Sequence, residues 1–302
     1  MLGDRREAVH VPDNRQLTDL LVVLPVGPDN NGADTIESIF CYASASVTIL
    51  AIDDSRSAET KRFLETCDNR IIVLPSAGFK GIRGALFCSL CQAYKWAWQN
   101  FDFRVLLRID TDALLIASGS VHDAIGIFES SRDVGMLGSY RTDCNGSPRD
   151  FSVVRRCMQK EYGIRGVLNH ERQKALRAWI IDAKKSGYKI GEHILGAAAF
   201  YSPRFVSAMC ELGYLDNMHL FKDSEISEDH LFSLLSFTCG FKLEDYATGN
   251  LPMGLRWRGL PDSPGNLIKR NKKIIHSVKS WADMPENEIR SFFAAKRNAR
   301  RG

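Results

Sequence analysis

The stretch Arg104-Val105-Leu106-Leu107-Arg108-Ile109-Asp110-Thr111-Asp112 joins a mostly apolar run to two carboxylates. A short apolar run that ends in polar residues is typical of a buried strand in a parallel sheet. We therefore predict a strand over residues 104–109. Asp110 and Asp112 follow it at i and i+2, so they share one face of a continuing strand or converge at a turn. Either arrangement brings two carboxylates to one edge of a sheet.

Strand-like and helix-like segments alternate on the N-terminal side of this stretch. The apolar runs that predict strands are residues 20–26, 47–52 and 70–74, and the helical patterns are residues 35–43, 58–66 and 82–100. Strands separated by helices predict an α/β fold with a mostly parallel central sheet flanked by helices. Ligands bind such sheets beyond the carboxyl ends of the strands. Acidic residues occur at two of these ends, Asp53-Asp54 and Asp110.

The C-terminal half is less regular. The segments that we distinguish are a turn-rich loop over 143–149, helices over 171–185 and 230–237, a small apolar stretch over 195–201, a loop or mobile lid over 249–270, and an extended piece over 274–278. We expect one continuous domain made of two halves, residues 1–140 and 141–280. Residues 281–302 form a basic C-terminal tail in this prediction.

Composition excludes several classes of protein. The 302 residues are 44% hydrophobic and 25% charged, as in ordinary globular proteins and unlike disordered or collagen-like chains. The net charge is +4, yet residues 254–302 alone hold twelve Lys or Arg and four Asp or Glu. A basic quarter on an acidic body predicts an anionic ligand or surface. A solvated, partly frayed tail over Lys296–Arg301 is the alternative explanation.

The cysteines and the N-terminus predict a location. Eight cysteines form no regular framework, and Cys88-x-x-Cys91 lies in an apolar, helix-like run that favours buried free thiols. Met1–Arg15 is polar, and no apolar run reaches the roughly 18–20 residues that span a bilayer. We expect a cytoplasmic protein. Aromatic residues near the basic ones, such as Trp257, are more simply core or acceptor-site residues than base-stacking groups, so we expect no nucleic-acid partner.

Three further polar clusters have both a structural and a functional explanation. Asp53-Asp54 either caps the next helix or accepts hydrogen bonds from a nucleobase or ribose. The cluster Glu225–His230 has two explanations. Ser227 caps an apolar helix, or a carboxylate of the cluster lies at the start of that helix as a general base. His276 and Lys279 follow the 249–270 loop, where they either serve the structure or bring an imidazole and a cation to a phosphate site.

Taken in this order, the clusters resemble the GT-A glycosyltransferases, especially the family 2-like enzymes, over roughly residues 20–280. The resemblance implies a GT-A type, Rossmann-like sheet, with a nucleotide-sugar-binding half up to residue 140 and an acceptor-binding and catalytic half from 141 to 280. The matching segments are Leu21–Gly27, Ala51–Ser55, Gly78–Gly84, Asp110–Asp112, Gly196–Phe200, Glu228-Asp229 and His276.

The resemblance also implies roles for individual residues. Asp110, Asp112 and His276 would hold Mn²⁺ or Mg²⁺, and Asp229 of the Glu228-Asp229 pair would be the catalytic base of an inverting enzyme. The residues that would contact the nucleotide sugar are Pro25, Val26, Asp53, Asp54, Lys80, Arg83, Asp110 and Lys279. The chain departs from the family in having Gly196-Ala-Ala-Ala, which is poor in glycine, and in lacking the Gln-x-x-Arg-Trp motif of processive synthases near Arg256-Trp257.

The implied activity is metal-dependent transfer of a sugar, from a UDP-sugar, to the hydroxyl of a glycan, lipid-linked or protein acceptor. The basic C-terminal tail also fits a peripheral contact with anionic lipid at the inner face of a membrane. Two alternatives stay open. A sugar nucleotidyltransferase would carry cations directly after the first strand, where Gly27–Gly32 has none. A GT-A-like shell that only binds a glycan would not need every acidic position and His276.

Overall fold

The structure is a computed structural model, and it describes residues 15–28, 32–76, 82–163 and 170–301. The strands of this part of the chain are β1 (Gln16–Val26), β2 (Val47–Asp53), β3 (Ile71–Pro75), β4 (Phe101–Ile109), β5 (Ala113–Leu115), β6 (Val134–Gly138), β7 (Ala198–Tyr201), β8 (Lys242–Asp245), β9 (Met253–Leu255), β10 (Ile274–His276), β11 (Ser280–Trp281) and β12 (Met284–Pro285). Its α-helices are α1 (Ala33–Tyr42), α2 (Ala58–Thr66), α3 (Gly84–Asn100), α4 (Ser120–Ser130), α5 (Ser152–Tyr162), α6 (His170–Lys185), α7 (Pro203–Glu211), α8 (Glu228–Thr238), α9 (Pro264–Lys269) and α10 (Glu286–Arg301).

A seven-stranded sheet in the order β3-β2-β1-β4-β7-β6-β8 forms the centre of the fold. The pairs β1–β2, β2–β3, β1–β4 and β6–β8 are parallel, and β7 runs antiparallel to both of its neighbours. The predicted α/β fold with a mostly parallel sheet flanked by helices is therefore confirmed. Parallel strands 1 to 4 all end at the same edge, which is where both predicted acidic clusters lie.

The core occupies both faces of this sheet. Helices α3, α5, α6, α7 and α8 pack on one face, and α1, α2 and α4 pack on the other. The run Leu20–Leu24 in β1 is fully buried, because its alternate side chains enter opposite layers. Burying one such side chain contributes roughly 1.5–3 kcal/mol. Continuous apolar runs, rather than alternating ones, are what this two-sided burial requires.

The two predicted halves share the sheet. Strand β7 comes from the second half of the chain, yet it lies between β4 and β6. The seam predicted near residue 140 falls just after β6, and its position stays a prediction. A second sheet, β5-β10-β9, brings residue 276 opposite residue 113, immediately beyond the end of β4. This small sheet connects the C-terminal region with the acidic edge.

Two expectations about the C-terminal region need correction. The loop predicted over 249–270 contains strand β9 and helix α9, which begins at the N-cap Ser263 with a proline in its first turn. The basic residues near the C-terminus form helix α10, which packs against α1, rather than a solvated tail. Arg297 of this helix is only 1% exposed. Among the described residues, no helix is both long and apolar enough to cross a membrane.

Candidate active site

The backbone beyond β4 brings Asp110, Asp112 and His276 together. The amide of Asp110 donates to the carbonyl of Ala197 at 3.0 Å, and the amide of Ala113 donates back to the Asp110 carbonyl at 3.1 Å, closing a turn. Strand β10 then pairs with β5, which sets His276 opposite Ala113. One ligand atom from each of Asp110, Asp112 and His276 lies within 4.8 Å of the others. Convergence at a turn is thus the arrangement that the structure adopts.

The tautomer of His276 follows from its partners. Its Nδ1 lies 2.7 Å from the carbonyl oxygen of Arg256, which only accepts, so Nδ1 carries a hydrogen. Nε2 lies 3.1 Å from Oδ1 of Asp112. In the neutral ring both of these atoms are acceptors, and they attract each other only when a proton or a metal ion is shared between them. A histidine that donates its Nδ1–H to a carbonyl and turns Nε2 to a carboxylate is oriented as a metal ligand.

Asp112 is held in its ionised form. Burial opposes its ionisation, but the imidazole of His276, when it is protonated, and the hydroxyl of Ser277, 2.8 Å from Oδ2, hold its pKa well below the ordinary value. Lys279 acts in the same direction, with its Nζ 3.8 Å from Oδ2. The amide of Val278 donates to the Asp112 carbonyl at 3.0 Å. A deprotonated carboxylate fixed at both its backbone and its side chain is ready to bind a cation.

Arg108, which the sequence analysis did not single out as a site residue, joins the two acidic groups. It is 2% exposed, and its Nη2 lies 2.9 Å from Oδ1 of Asp110 and 3.0 Å from Oε1 of Glu228. Burial raises the pKa of Asp110, and the guanidinium of Arg108 opposes that rise. A cation inside a buried strand needs charged partners. An arginine in an otherwise apolar strand was therefore the feature of the sequence that could have identified Arg108 as part of a buried charge cluster.

Glu228 and Asp229 begin helix α8 and differ in charge state. Ser227 occupies the N-cap position, but within the described chain its side chain makes no capping hydrogen bond. Burial raises the pKa of Glu228 to about 8, although Arg108 opposes the shift. Burial also opposes ionisation of Asp229, but positive charge around it, including the guanidiniums of Arg108 and Arg149, lowers its pKa. The two environments therefore favour the proton on Glu228 and the negative charge on Asp229.

A second group of potential ligands, His193, Asp229 and His230, does not fit a metal ion. Nδ1 of His193 faces the carbonyl of Gly191 at 2.8 Å, and Nε2 faces Nη2 of Arg149 at 2.7 Å. Nδ1 therefore donates and Nε2 accepts, so both ring nitrogens are occupied. Burial accordingly lowers the pKa of His193 to about 3. A metal ion on Nε2 would have to displace a guanidinium, so His193 is held by Arg149 and Gly191 rather than available as a ligand.

The acidic end of β2 is not the cap of the following helix. Ser57 caps α2, accepting a hydrogen bond from the amide of Thr60 at 3.2 Å. Oδ1 of Asp53 accepts from the amide and the hydroxyl of Ser55, and the amide of Asp54 donates to the carbonyl of Val26 at 2.9 Å. In the register between β1 and β2, Val26 lies opposite Asp53. Asp53 and Asp54 thus lie beside the end of β1.

The remaining predicted residues are placed less centrally. Pro25 and Val26 end β1, at the same edge as Asp110. Arg83 precedes α3 and lies 4.0 Å from Glu225, without a hydrogen bond or ion pair to the three proposed metal ligands in the described chain. Lys80 lies outside the described residues. The structure therefore brings Asp110, Asp112, His276 and Lys279 into one cluster and leaves Arg83 apart from it.

Two carboxylates and one imidazole suit Mn²⁺ or Mg²⁺, because oxygen ligands predominate. The second layer of contacts supports this fit. Arg256 provides the carbonyl for His276, and Ser277 bonds to Asp112. Sequence reasoning gave no role to Arg149, His193 or His230, because the sequence around a lone histidine or arginine does not indicate which partners it meets after folding.

Comparison with solved structures finds glycosyltransferases, the class of protein that the sequence motifs resemble. The galactosyltransferase LgtC, in complex with donor and acceptor sugar analogues, is 12% identical, with a TM-score of 0.49 over 92% of this chain and 95% of that chain. The bifunctional glycosyltransferase WbbM, in its apo state, is 11% identical, with a TM-score of 0.48 over 93% of this chain and 50% of that chain. No protein-family model and no curated protein sequence matches the chain. These likenesses are distant, so the function proposed below rests on the site itself.

Proposed function

We propose that this chain is a metal-dependent glycosyltransferase that moves a sugar from a UDP-sugar to an acceptor hydroxyl. The observation that carries the proposal is the convergence of Asp110, Asp112 and His276 beyond the carboxyl end of β4, with Nε2 of His276 turned to Asp112. This position is where α/β sheets bind ligands. The donor set suits a hard divalent cation that is shared with phosphate oxygens.

In this proposal, Asp110, Asp112 and His276 hold Mn²⁺ or Mg²⁺. When bound, the ion neutralises the negative charge that develops on the departing nucleoside diphosphate. Lys279 adds a cation from the segment that follows His276. The nucleoside lies against the ends of β1 and β2, at Pro25, Val26, Asp53 and Asp54. Lys80 and Arg83 stay predicted contacts of the donor.

Asp229 is the proposed base, and the proposed transfer inverts the anomeric centre. Its lowered pKa supports this role because a base must be deprotonated, whereas burial favours the protonated form of Glu228 beside it. Contacts also restrain Asp229, since the amide of Gly196 donates to Oδ2 at 3.0 Å. The configuration of the product, followed by proton NMR of the anomeric hydrogen, tests the role. A product with retained configuration would show that Asp229 is not the base of an inverting transfer.

Calorimetric titration of UDP tests the proposal, first with Mn²⁺ and then with EDTA. We expect binding that requires the metal, and its loss in Asp112→Ala, which should still unfold in one cooperative transition although the contacts of Asp112 with Ser277 and His276 are lost. The matched control is Asp102→Ala, an exposed carboxylate at the other end of β4, which should bind as the wild type does. Metal-independent binding of equal strength in wild type and Asp112→Ala would overturn the metal site.

Turnover then separates the alternatives. Release of UDP from UDP-sugars in the presence of acceptors supports transfer, while metal-dependent binding without any turnover indicates a glycan-binding module. Pyrophosphate release from UTP and a sugar phosphate would indicate a nucleotidyltransferase. The proposed partners are the nucleotide sugar and a glycan, lipid-linked or protein acceptor.

The proposed location is cytoplasmic, with a peripheral contact to anionic lipid through α10. Two of the four cations over residues 286–300 point inward, because Arg290 and Arg297 pair with Asp34. A lipid contact would therefore rest on Lys296 and Arg300, which are exposed. Co-sedimentation with vesicles of anionic lipid, compared between wild type and Lys296→Ala/Arg300→Ala, tests this contact. Equal sedimentation of both would overturn it.

A further inference from the structure

Two distant segments hold the residue between the proposed metal ligands. The carbonyl oxygen of Thr111 accepts a hydrogen bond from Oγ1 of Thr35 in α1 at 2.8 Å and from Nη2 of Arg290 in α10 at 3.0 Å. Oγ1 of Thr35 also lies 2.8 Å from the carbonyl of Ala113. A hydroxyl has one hydrogen, so Thr35 divides it between two acceptors. Nη2 of Arg290 carries two hydrogens and also lies 2.7 Å from Oε1 of Glu286, so one N–H can serve Glu286 and the other Thr111.

The guanidinium of Arg290 is fixed on every side. Nη1 lies 2.9 Å from Oδ2 of Asp34, and Nε donates to Oε1 of Glu286 at 2.8 Å. Its side chain is 15% exposed. Because the guanidinium is planar, these two carboxylates set the direction of the remaining N–H toward Thr111. They also neutralise its charge, which makes Arg290 unsuited to binding a phosphate and distinguishes it from the exposed Lys279.

The bond to Thr111 acts directly on a proposed metal ligand. The peptide unit is planar, so fixing the carbonyl oxygen of Thr111 also fixes the nitrogen and the Cα of Asp112. Val278 and Ser277 hold the carbonyl and the carboxylate of the same residue from the other side. Asp112 is thus held between the C-terminal helix and the strand that carries His276.

We propose that Arg290 is a positioning residue for the metal site, through which α10 sets the turn that carries Asp110 and Asp112. This inference rests on the proposed function, because it assigns a task to Arg290 only if those carboxylates bind a cation. The C-terminal helix then influences metal affinity through the backbone of Thr111 rather than by supplying a ligand. Loss of supporting contacts around metal ligands typically weakens binding by about 10–100-fold.

The test compares Arg290→Met with Arg297→Met. Arg297 lies on α10 as Arg290 does, and it pairs with Asp34 and Glu37 of α1. It makes no hydrogen bond to Thr111, so its replacement should loosen the contact of α10 with α1 and leave the turn over residues 110–113 in place. Mn²⁺ binding to each protein without nucleotide is measured from the electron paramagnetic resonance signal of free Mn²⁺, and thermal unfolding is recorded in parallel. We expect Arg290→Met to bind Mn²⁺ about tenfold or more weakly. Arg297→Met should lower the unfolding midpoint at least as much and keep its Mn²⁺ affinity within about twofold.

The outcomes separate the inference from the proposed function. Wild-type protein that binds no Mn²⁺ contradicts both. Wild type and Arg290→Met that bind equally well, with only the unfolding midpoint lowered, leave the metal site intact and overturn the positioning role. If Arg290→Met does not fold, Arg290→Lys replaces it, because one ammonium cannot reproduce the fork that joins Asp34, Glu286 and Thr111. We expect Arg290→Lys to show the same loss of Mn²⁺ affinity, and an unchanged affinity in this variant overturns the inference.

Discussion

The backbone amide of Gly196 donates a hydrogen bond to Oδ2 of Asp229 at 3.0 Å, linking the approach to β7 with the start of α8. The next residue, Ala197, accepts from the amide of Asp110. The two residues before β7 therefore contact the proposed base and a proposed metal ligand. A Cβ atom on Gly196 would lie 2.9 Å from Cβ of Asp229 and 3.0 Å from Oε1 of Glu228. This close approach explains why a glycine remains in an otherwise alanine-rich segment.

Replacement of Gly196 by alanine should therefore impair transfer more than donor binding. The new methyl group pushes Asp229 out of place, and a displacement of about 1 Å can lower a rate by about 100-fold. The expected result is a turnover number about 100-fold lower with little change in the affinity for UDP and Mn²⁺, measured by steady-state kinetics and calorimetry. Gly126→Ala in α4 is the control, since its Cβ meets nothing within 4 Å. Equal turnover in both variants contradicts the prediction.

Arg108→Met should destabilise the protein by about 3 kcal/mol at pH 8, because it leaves the buried carboxyls of Asp110 and Glu228 without their counterion. The loss should be smaller at pH 5, where protonation relieves Glu228. Urea unfolding at the two pH values measures it. Arg104→Met on the same strand is the control, because its pairs with Glu129 and Asp19 are exposed to solvent and should contribute little to stability at either pH. A loss at pH 5 equal to that at pH 8 would show that lost packing, not charge, is responsible.

The sheet and the acidic edge were predictable because each follows from local pattern. Apolar runs locate β1 to β4, and the position of Asp110 and Asp112 after one of them locates the cluster. The partners of those residues were not predictable in the same way. Arg108 pairs with Glu228 across 120 positions, and Arg290 reaches Thr111 across 179. Such contacts depend on how helices pack, and a sequence pattern with a period of two or 3.6 residues contains no information about that.

Helix α10 illustrates the same limit. Its charges predict a solvated, basic segment, and most of its exposed residues are indeed polar. What the charges cannot reveal is that Asp34 in α1 accepts ion pairs from both Arg290 and Arg297. Because these two guanidiniums of α10 share the carboxylate of Asp34 in α1, the C-terminal segment packs as part of the folded domain.

The stability of the wild type relative to Glu228→Gln should fall as the pH rises toward about 8. Burial raises the pKa of Glu228 to about 8, whereas an unfolded glutamate titrates near about 4.3. The folded state therefore binds the proton over this interval, and its stabilising effect is complete below the lower value and lost as the pH passes the upper one. The limiting slope is about 1.4 kcal/mol per pH unit for one group. Urea unfolding of both proteins between pH 5 and pH 9 measures the difference, and a difference that does not change with pH contradicts a raised pKa.

His276→Asn should separate the structural contact of this histidine from its proposed role as a ligand. The asparagine amide nitrogen can take the place of Nδ1 and donate to the carbonyl of Arg256, but nothing replaces Nε2 opposite Asp112. We therefore expect Mn²⁺ affinity to fall by at least about tenfold, because one of three protein ligands is lost, while the unfolding midpoint without metal changes little. His276→Gln is the matched variant, since its longer amide reaches toward Asp112 and gives up the contact with Arg256. Free Mn²⁺ measured in titrations of the three proteins decides between the roles. If His276→Asn binds Mn²⁺ as the wild type does, Nε2 is no ligand and the approach of His276 to Asp112 is an ion pair of the protein alone.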